Sequence, residues 1–183
     1  MPEELIIRHC SPTLAGIKTG NLFSCAYTDK KELFNDVRDL NNKLGPKGLR
    51  LVMLRYGNGR ALIYLYRPQK LKSDLSDAQA AELLKERGYS TNRAEECVVQ
   101  LAKRLRCKDE FPHEIGLFLG YPIEDVCGFI EHKGTCEKCT GCWKVYGNVQ
   151  CAQKKFAQYK KCTSVYCKQW DNGKSIERLT VAG

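Results

Sequence analysis

The chain has 183 residues, 43% of them hydrophobic, and 30 basic against 21 acidic side chains give it a formal net charge of +9. That length suits one domain able to bury a core without disulfide staples. The longest nearly apolar stretch, residues 115–123, is broken by glycine and proline and falls far short of the ~20 residues that span a bilayer, and the opening MPEELIIRHC lacks a basic secretory leader, so a soluble cytoplasmic protein starting at Met1 is expected.

In chain order, Ser11 before Pro12 reads as an N-cap and first helical position, opening a short helix through residues 14–17, and residues 22–27 suit a strand. Gly16 and Gly20, around Lys18, lack the spacing of a phosphate loop and read as turn residues. Asp29 with Glu32 forms a capping-box pattern, and Leu33, Phe34, Val37, Leu40 and Leu44 repeat at helical spacing until Gly45-Pro46. Residues 49–56 and 60–67 are β-rich runs around Gly57-Asn58-Gly59, which predicts an antiparallel hairpin.

Ser76 with Gln79 caps a helix ending at Gly88, and another runs from about Asn92 to Arg106. Pro112 and Pro122 each open a short helix, through Leu119 and Glu131. Residues 143–147 read as a strand, 151–161 as a helix, and 163–170 with 175–181 as a hairpin across Asp171-Asn172-Gly173. The sum is a single α+β domain over residues 1–183 with a mainly antiparallel sheet of about five or six strands and several helices packed on it.

Seven of the eleven cysteines fall in the last 57 residues, and Cys136, Cys139 and Cys142 share the heptapeptide CEKCTGC within a cysteine-rich loop over residues 133–143. Three soft thiolates at this spacing suit zinc or an iron–sulfur cluster, with the fourth ligand one of Cys127, Cys151, Cys162 and Cys167. The motif is similar to the first three ligands of a bacterial ferredoxin, but the continuation to a fourth Cys-Pro is missing, and the alternative is a set of free thiols in a reducing cell.

Cys10, placed before the expected helix start, is a candidate nucleophile, with His113 as base and Glu114 orienting it, for a thiol-dependent enzyme acting on an acyl or amide group. His9 competes for the role of base, and a small buried hydrophobe is the alternative for Cys10. Charge is uneven: residues 1–132 hold 20 basic and 18 acidic side chains, residues 133–183 hold 10 and 3. Lys154, Lys155, Lys160 and Lys161 therefore suit an acidic protein partner or, less well, nucleic acid, unless they only solvate a helix.

The phrases HCSPTLAGIKTGNLF, FPHEIGLFLGYPIEDVCGFIEHKG and CWKVYGN resemble a bacterial family catalogued as domain of unknown function three-seven-nine-three, over nearly the whole chain. The resemblance implies no activity, substrate or cofactor; the family's setting near iron-uptake and flavodoxin functions implies a redox or iron-related accessory role with an acidic, flavodoxin-like partner.

Overall fold

The computed structural model describes residues 3–89, 93–107 and 111–183. Its organising strand is β3 (Arg60–Tyr66), whose ALIYLY run is apolar on both faces and must therefore be covered on both. Ala61, Ile63 and Leu65 enter one core cluster, and Tyr64 and Tyr66 enter the other. β1 (Gly20–Ala26) and β2 (Arg50–Gly57) flank β3 antiparallel, in register from Gly20 opposite Tyr66 to Ala26 opposite Arg60 and from Arg50 opposite Tyr66 to Gly57 opposite Arg60. The turn between β2 and β3 has Asn58 at φ 51° and Gly59 at φ 69°, the two positive values a tight type I′ hairpin requires. Leu54 is a bulge between Met53 and Arg55, and its side chain is fully buried.

One face of the sheet carries α1 (Glu3–Leu14), α2 (Lys30–Leu44) and α9 (Ile176–Leu179). The other carries α3 (Pro68–Leu75), α4 (Ala78–Glu86), α5 (Ala94–Arg106), α6 (Ile115–Phe118) and α7 (Ile123–Glu131). In α1 the fully buried Ile6, Ile7, Cys10 and Leu14 lie along one stripe, and each large aliphatic side chain so buried contributes about 2 kcal/mol. The 23-residue α8 (Val149–Asp171) lies along α1. A short hairpin, β4 (Cys139–Thr140) with β5 (Lys144–Val145), packs on its first half through Trp143, Val145, Ala152 and Tyr159. Among the described residues no helix is long and apolar enough to cross a membrane.

Several expectations are corrected. The chain is α+β, but among the described residues its sheets have three and two strands, not five or six in one. The difference lies mostly in residues 163–181: Ala152, Phe156, Tyr159, Thr163, Tyr166 and Trp170 repeat at alternating steps of four and three, so the helix runs on through Val165-Tyr166-Cys167 to Asp171. Asp171-Asn172-Gly173 ends this helix, with Gly173 at φ 80°, and joins no strands. The expected strand 143–147 shrinks to Lys144–Val145.

α1 is already formed at Glu3, so Pro12 stands in its last turn and not its first. The cap of α4 is Asp77, whose carboxylate accepts the Gln79 and Ala80 amides, and not Ser76. For α2, Asp29 caps as expected and the helix gives way to a 3-10 turn at Gly45, although Phe34 points outward. The expected start of α5 at Asn92 lies outside the described residues.

Arg67 closes the layer on the α1 side. Its buried guanidinium donates to the carbonyls of Thr13 (2.7 Å), Leu14 (2.8 Å) and Val181 (2.7 Å), satisfying the end of α1 and the segment after α9 at once.

Candidate functional site

The cysteine-rich loop folds as a hairpin. Gly134 (φ 73°) and Cys136 (φ 61°) turn the chain, the Lys138 amide donates to Val145 (2.8 Å), and Gly141 donates to Trp143 (3.0 Å). In extended chain, side chains alternate faces, so cysteines three apart point in opposing directions unless the backbone turns tightly about one point. The three thiols accordingly face different surroundings. Cys136 is exposed and acts on Tyr146, Cys139 is half-buried against the Trp143 cluster, and exposed Cys142 faces Lys18.

Of the candidate fourth ligands, Cys127 is exposed on α7 among Glu86, Glu124 and Glu131, Cys151 is exposed in the first turn of α8, and Cys162 and Cys167 are half-buried further along that helix. Among the described residues no three His, Cys, Asp or Glu side chains are grouped to hold a metal ion.

Cys10, His113 and Glu114 are not brought together. Cys10 is fully buried on the α1 side of the sheet beside Ile6, Phe23 and Ile176, past the first turn of its helix, and burial pushes its thiol well above the ordinary range. His113 lies on the other side, its ring 5.0 Å from that of Phe129 and 5.9 Å from that of Phe111. The buried Glu114 turns away to accept the Tyr89 hydroxyl at 2.8 Å.

What the fold does assemble is a cleft of about 530 Å3 between the end of α1, the cysteine hairpin and α8. At its floor is Lys18. The Ile17 and Lys18 amides both return to the Pro12 carbonyl, and Gly16 takes φ 76°, so the chain reverses after α1 and turns this lysine inward. Lys18 is 6% exposed, its ammonium donates to the Gly20 carbonyl at 2.6 Å, and it stands 5.3 Å over the Tyr121 ring. Burial pushes its pKa down to about 8, against smaller opposing effects of the Cys10 and Cys142 thiols.

Tyr121, in the α6–α7 connection, stacks on Trp143 at 4.8 Å and donates its hydroxyl to the Cys142 carbonyl at 3.3 Å. Trp143 meets the Phe156 ring edge-on at 4.5 Å and donates its indole N–H to Asp125 at 2.6 Å. The second Asp125 oxygen takes the Tyr146 and Gly147 amides, each at 2.7 Å, so α7 holds the hairpin over the cleft by one buried carboxylate. Burial, with the Cys142 thiol adding to it, keeps the Tyr121 and Tyr159 hydroxyls protonated up to about 12.

The electrostatic character of the cleft is one-sided. Lys18, Lys160 and His9 line it with Tyr121, Phe156 and Tyr159, and no carboxylate lines it among the described residues. Sequence reasoning missed Lys18 because a lysine in Gly-Ile-Lys-Thr-Gly carries no mark of burial when the aromatic residues that line its cleft, Tyr121, Phe156 and Tyr159, come from far along the chain.

No curated protein and no solved structure is similar to the chain at a significant level. The three phrases singled out in the sequence, residues 9–23, 111–134 and 142–148, supply most of the cleft wall that is not α8. They belong to a pattern that extends well beyond them: over residues 6–180 the chain matches, and so belongs to, the family described as protein of unknown function DUF3793.

Proposed function

We propose that this protein binds a small anion with an aromatic or apolar body in the cleft above Lys18. The observation that carries this is a buried ammonium at the floor of an aromatic-walled cavity, with a second lysine at the mouth and no carboxylate among the described lining residues. A buried cation facing no anion is costly, and an incoming carboxylate or phosphate offsets that cost while its body displaces water from Phe156 and Tyr159. The volume lies in the range of small-molecule sites.

The test is thermal denaturation with benzoate, phenylpyruvate, glyoxylate and nucleoside monophosphates, followed by calorimetry of any that stabilise the fold. At least one anion is expected to raise the midpoint in a saturable way, with the effect lost in Lys18→Met. No stabilisation by any of them, or stabilisation that Lys18→Met retains, would overturn the proposal.

A second reading rests on α8. Residues 149–170 contain no acid, and Lys154, Lys155, Lys160, Lys161 and Lys168 are all exposed. The helix aromatics Phe156, Tyr159, Tyr166 and Trp170 are half or fully buried, which leaves no stacking platform for bases. This surface therefore suits an acidic protein more than nucleic acid, in keeping with a redox or iron-related accessory role, and binding to a single-stranded oligonucleotide as tight as to an acidic protein such as a flavodoxin would reverse that preference.

A further inference from the structure

We propose that the Lys18 amine reacts covalently, and that the anions this cleft takes are carbonyl compounds: 2-oxo acids, or aromatic aldehydes bearing an acid group. This presupposes the anion-binding cleft above and adds a reacting atom to it. Three observations support the step. Lys18 Nζ is fixed by one hydrogen bond to a neutral acceptor, the Gly20 carbonyl, so one N–H orients the nitrogen while its lone pair is available once a proton leaves. No carboxylate among the described residues pairs with it to hold that proton. Of the thiols that act on it, Cys10 is pushed up by full burial and Cys142, exposed but partly desolvated at its sulfur, is shifted in the same direction, so both stay uncharged near neutral pH.

With a pKa of about 8 the neutral amine is populated at pH 7.5 on the order of a hundredfold more than for an ordinary lysine. That is the condition under which a lysine becomes a nucleophile for carbonyl carbon.

The step balances without an oxidant. Neutral Nζ adds to the carbonyl carbon, the carbonyl π bond breaks toward oxygen, and nitrogen gives up one proton as oxygen takes one up, which gives the neutral carbinolamine. Loss of the hydroxyl as water, and of the second nitrogen proton, forms the C=N bond, so amine plus carbonyl becomes imine plus water. Tyr159 lines the same cleft with a hydroxyl that keeps its proton up to about 12, and it is a side-chain acid able to relay the proton from nitrogen to that oxygen. Lys160, exposed on α8 and lining the same cleft, is the second cation available to the ligand's carboxylate once Lys18 has lost its proton.

The experiment is reductive trapping of the full chain with glyoxylate and sodium cyanoborohydride, read by intact mass and peptide mapping. One reduced adduct is expected on Lys18, formed at least tenfold faster at pH 7.5 than on Lys154, Lys155 or Lys161, with a rate that levels off above pH 8. Lys18→Arg is expected to abolish the fast phase, and Lys160→Ala to slow it while leaving its position unchanged. Label spread over the surface lysines with Lys18 no faster would overturn the covalent step, and this readout needs only the wild-type chain, so it stands even if a variant fails to fold. Glyoxylate that stabilises the protein without trapping on Lys18 would leave the anion cleft in place and remove only its chemistry; glyoxylate that neither traps nor stabilises would count against both.

Discussion

The Asp125 carboxylate and the Trp143 indole meet at 2.6 Å, and the same carboxylate takes the Tyr146 and Gly147 amides at 2.7 Å, so one side chain of α7 holds the cysteine hairpin by three bonds. Charge-assisted bonds to a buried group are worth more than ordinary ones, and removing the acceptor leaves buried donors unpaired. Asp125→Ala is expected to cost about 3 kcal/mol of stability, measured by urea denaturation, and to expose Cys139 to thiol reagents. A loss under about 1 kcal/mol would mean the hairpin is held by its aromatic contacts instead.

Lys18 makes stability depend on pH in a direction opposite to that of most buried acids. Unfolded, it titrates near the ordinary lysine value of about 10.4; folded, near about 8. Between those values the unfolded chain binds the extra proton, so stability rises with pH across that window. Below about 8 both states are charged and the cost of burying the charge is felt in full; above about 10.4 both are neutral and it vanishes. The stability of wild type relative to Lys18→Met is expected to improve by roughly 2 kcal/mol between pH 7.5 and 9.5. Taking the difference cancels the tyrosines, which are common to both. A flat difference would place Lys18 in contact with water.

Thiol accessibility gives a third expectation. Cys136, Cys142 and Cys151 are exposed, whereas Cys10, Cys25 and Cys97 are buried. Iodoacetamide on the native protein is expected to label the first group rapidly and the second only on unfolding, as peptide mapping would record. Early labelling of Cys10 would contradict its burial beside Ile6 and Phe23.

Because Cys136, Cys139 and Cys142 face different surroundings, no closed set of ligands stands ready among the described residues, and affinity for zinc depends on such a set. Zinc added anaerobically is expected to bind weakly enough for a chromophoric chelator to remove it, with Cys136→Ser changing little. Stoichiometric zinc or iron in anaerobically purified protein, lost in that variant, would show that the hairpin rearranges around a metal.

Local chemistry was legible where neighbours in sequence decide the structure. Asn58-Gly59 demands its turn whatever surrounds it, and Asp29 caps α2 by accepting the Lys31 amide two residues away. The second half of α8 was misread because Val165-Tyr166-Cys167 has strand propensity, and propensity yields to the stripe from Ala152 to Trp170, visible only over the whole length. No three such side chains are grouped among the described residues, and spacing alone could not decide this because it does not fix backbone curvature: the same CEKCTGC converges in a tight loop and diverges in a hairpin. The cleft was invisible because Lys18 and Tyr121 share no local signal, only a contact made after folding.

Arg67 has a kinetic implication of its own. Its three acceptors come from residues 13, 14 and 181, and the last pairing closes a loop of 114 residues. Closing so long a loop is entropically slow and uphill until the contacts it enables have formed. During synthesis Arg67, at the junction of β3 and α3, emerges long before Val181, and until then its guanidinium lacks one of its partners. The layer of α1, α8 and α9 is therefore expected to lock in one late step, with the Lys18 cleft maturing only when that step is complete.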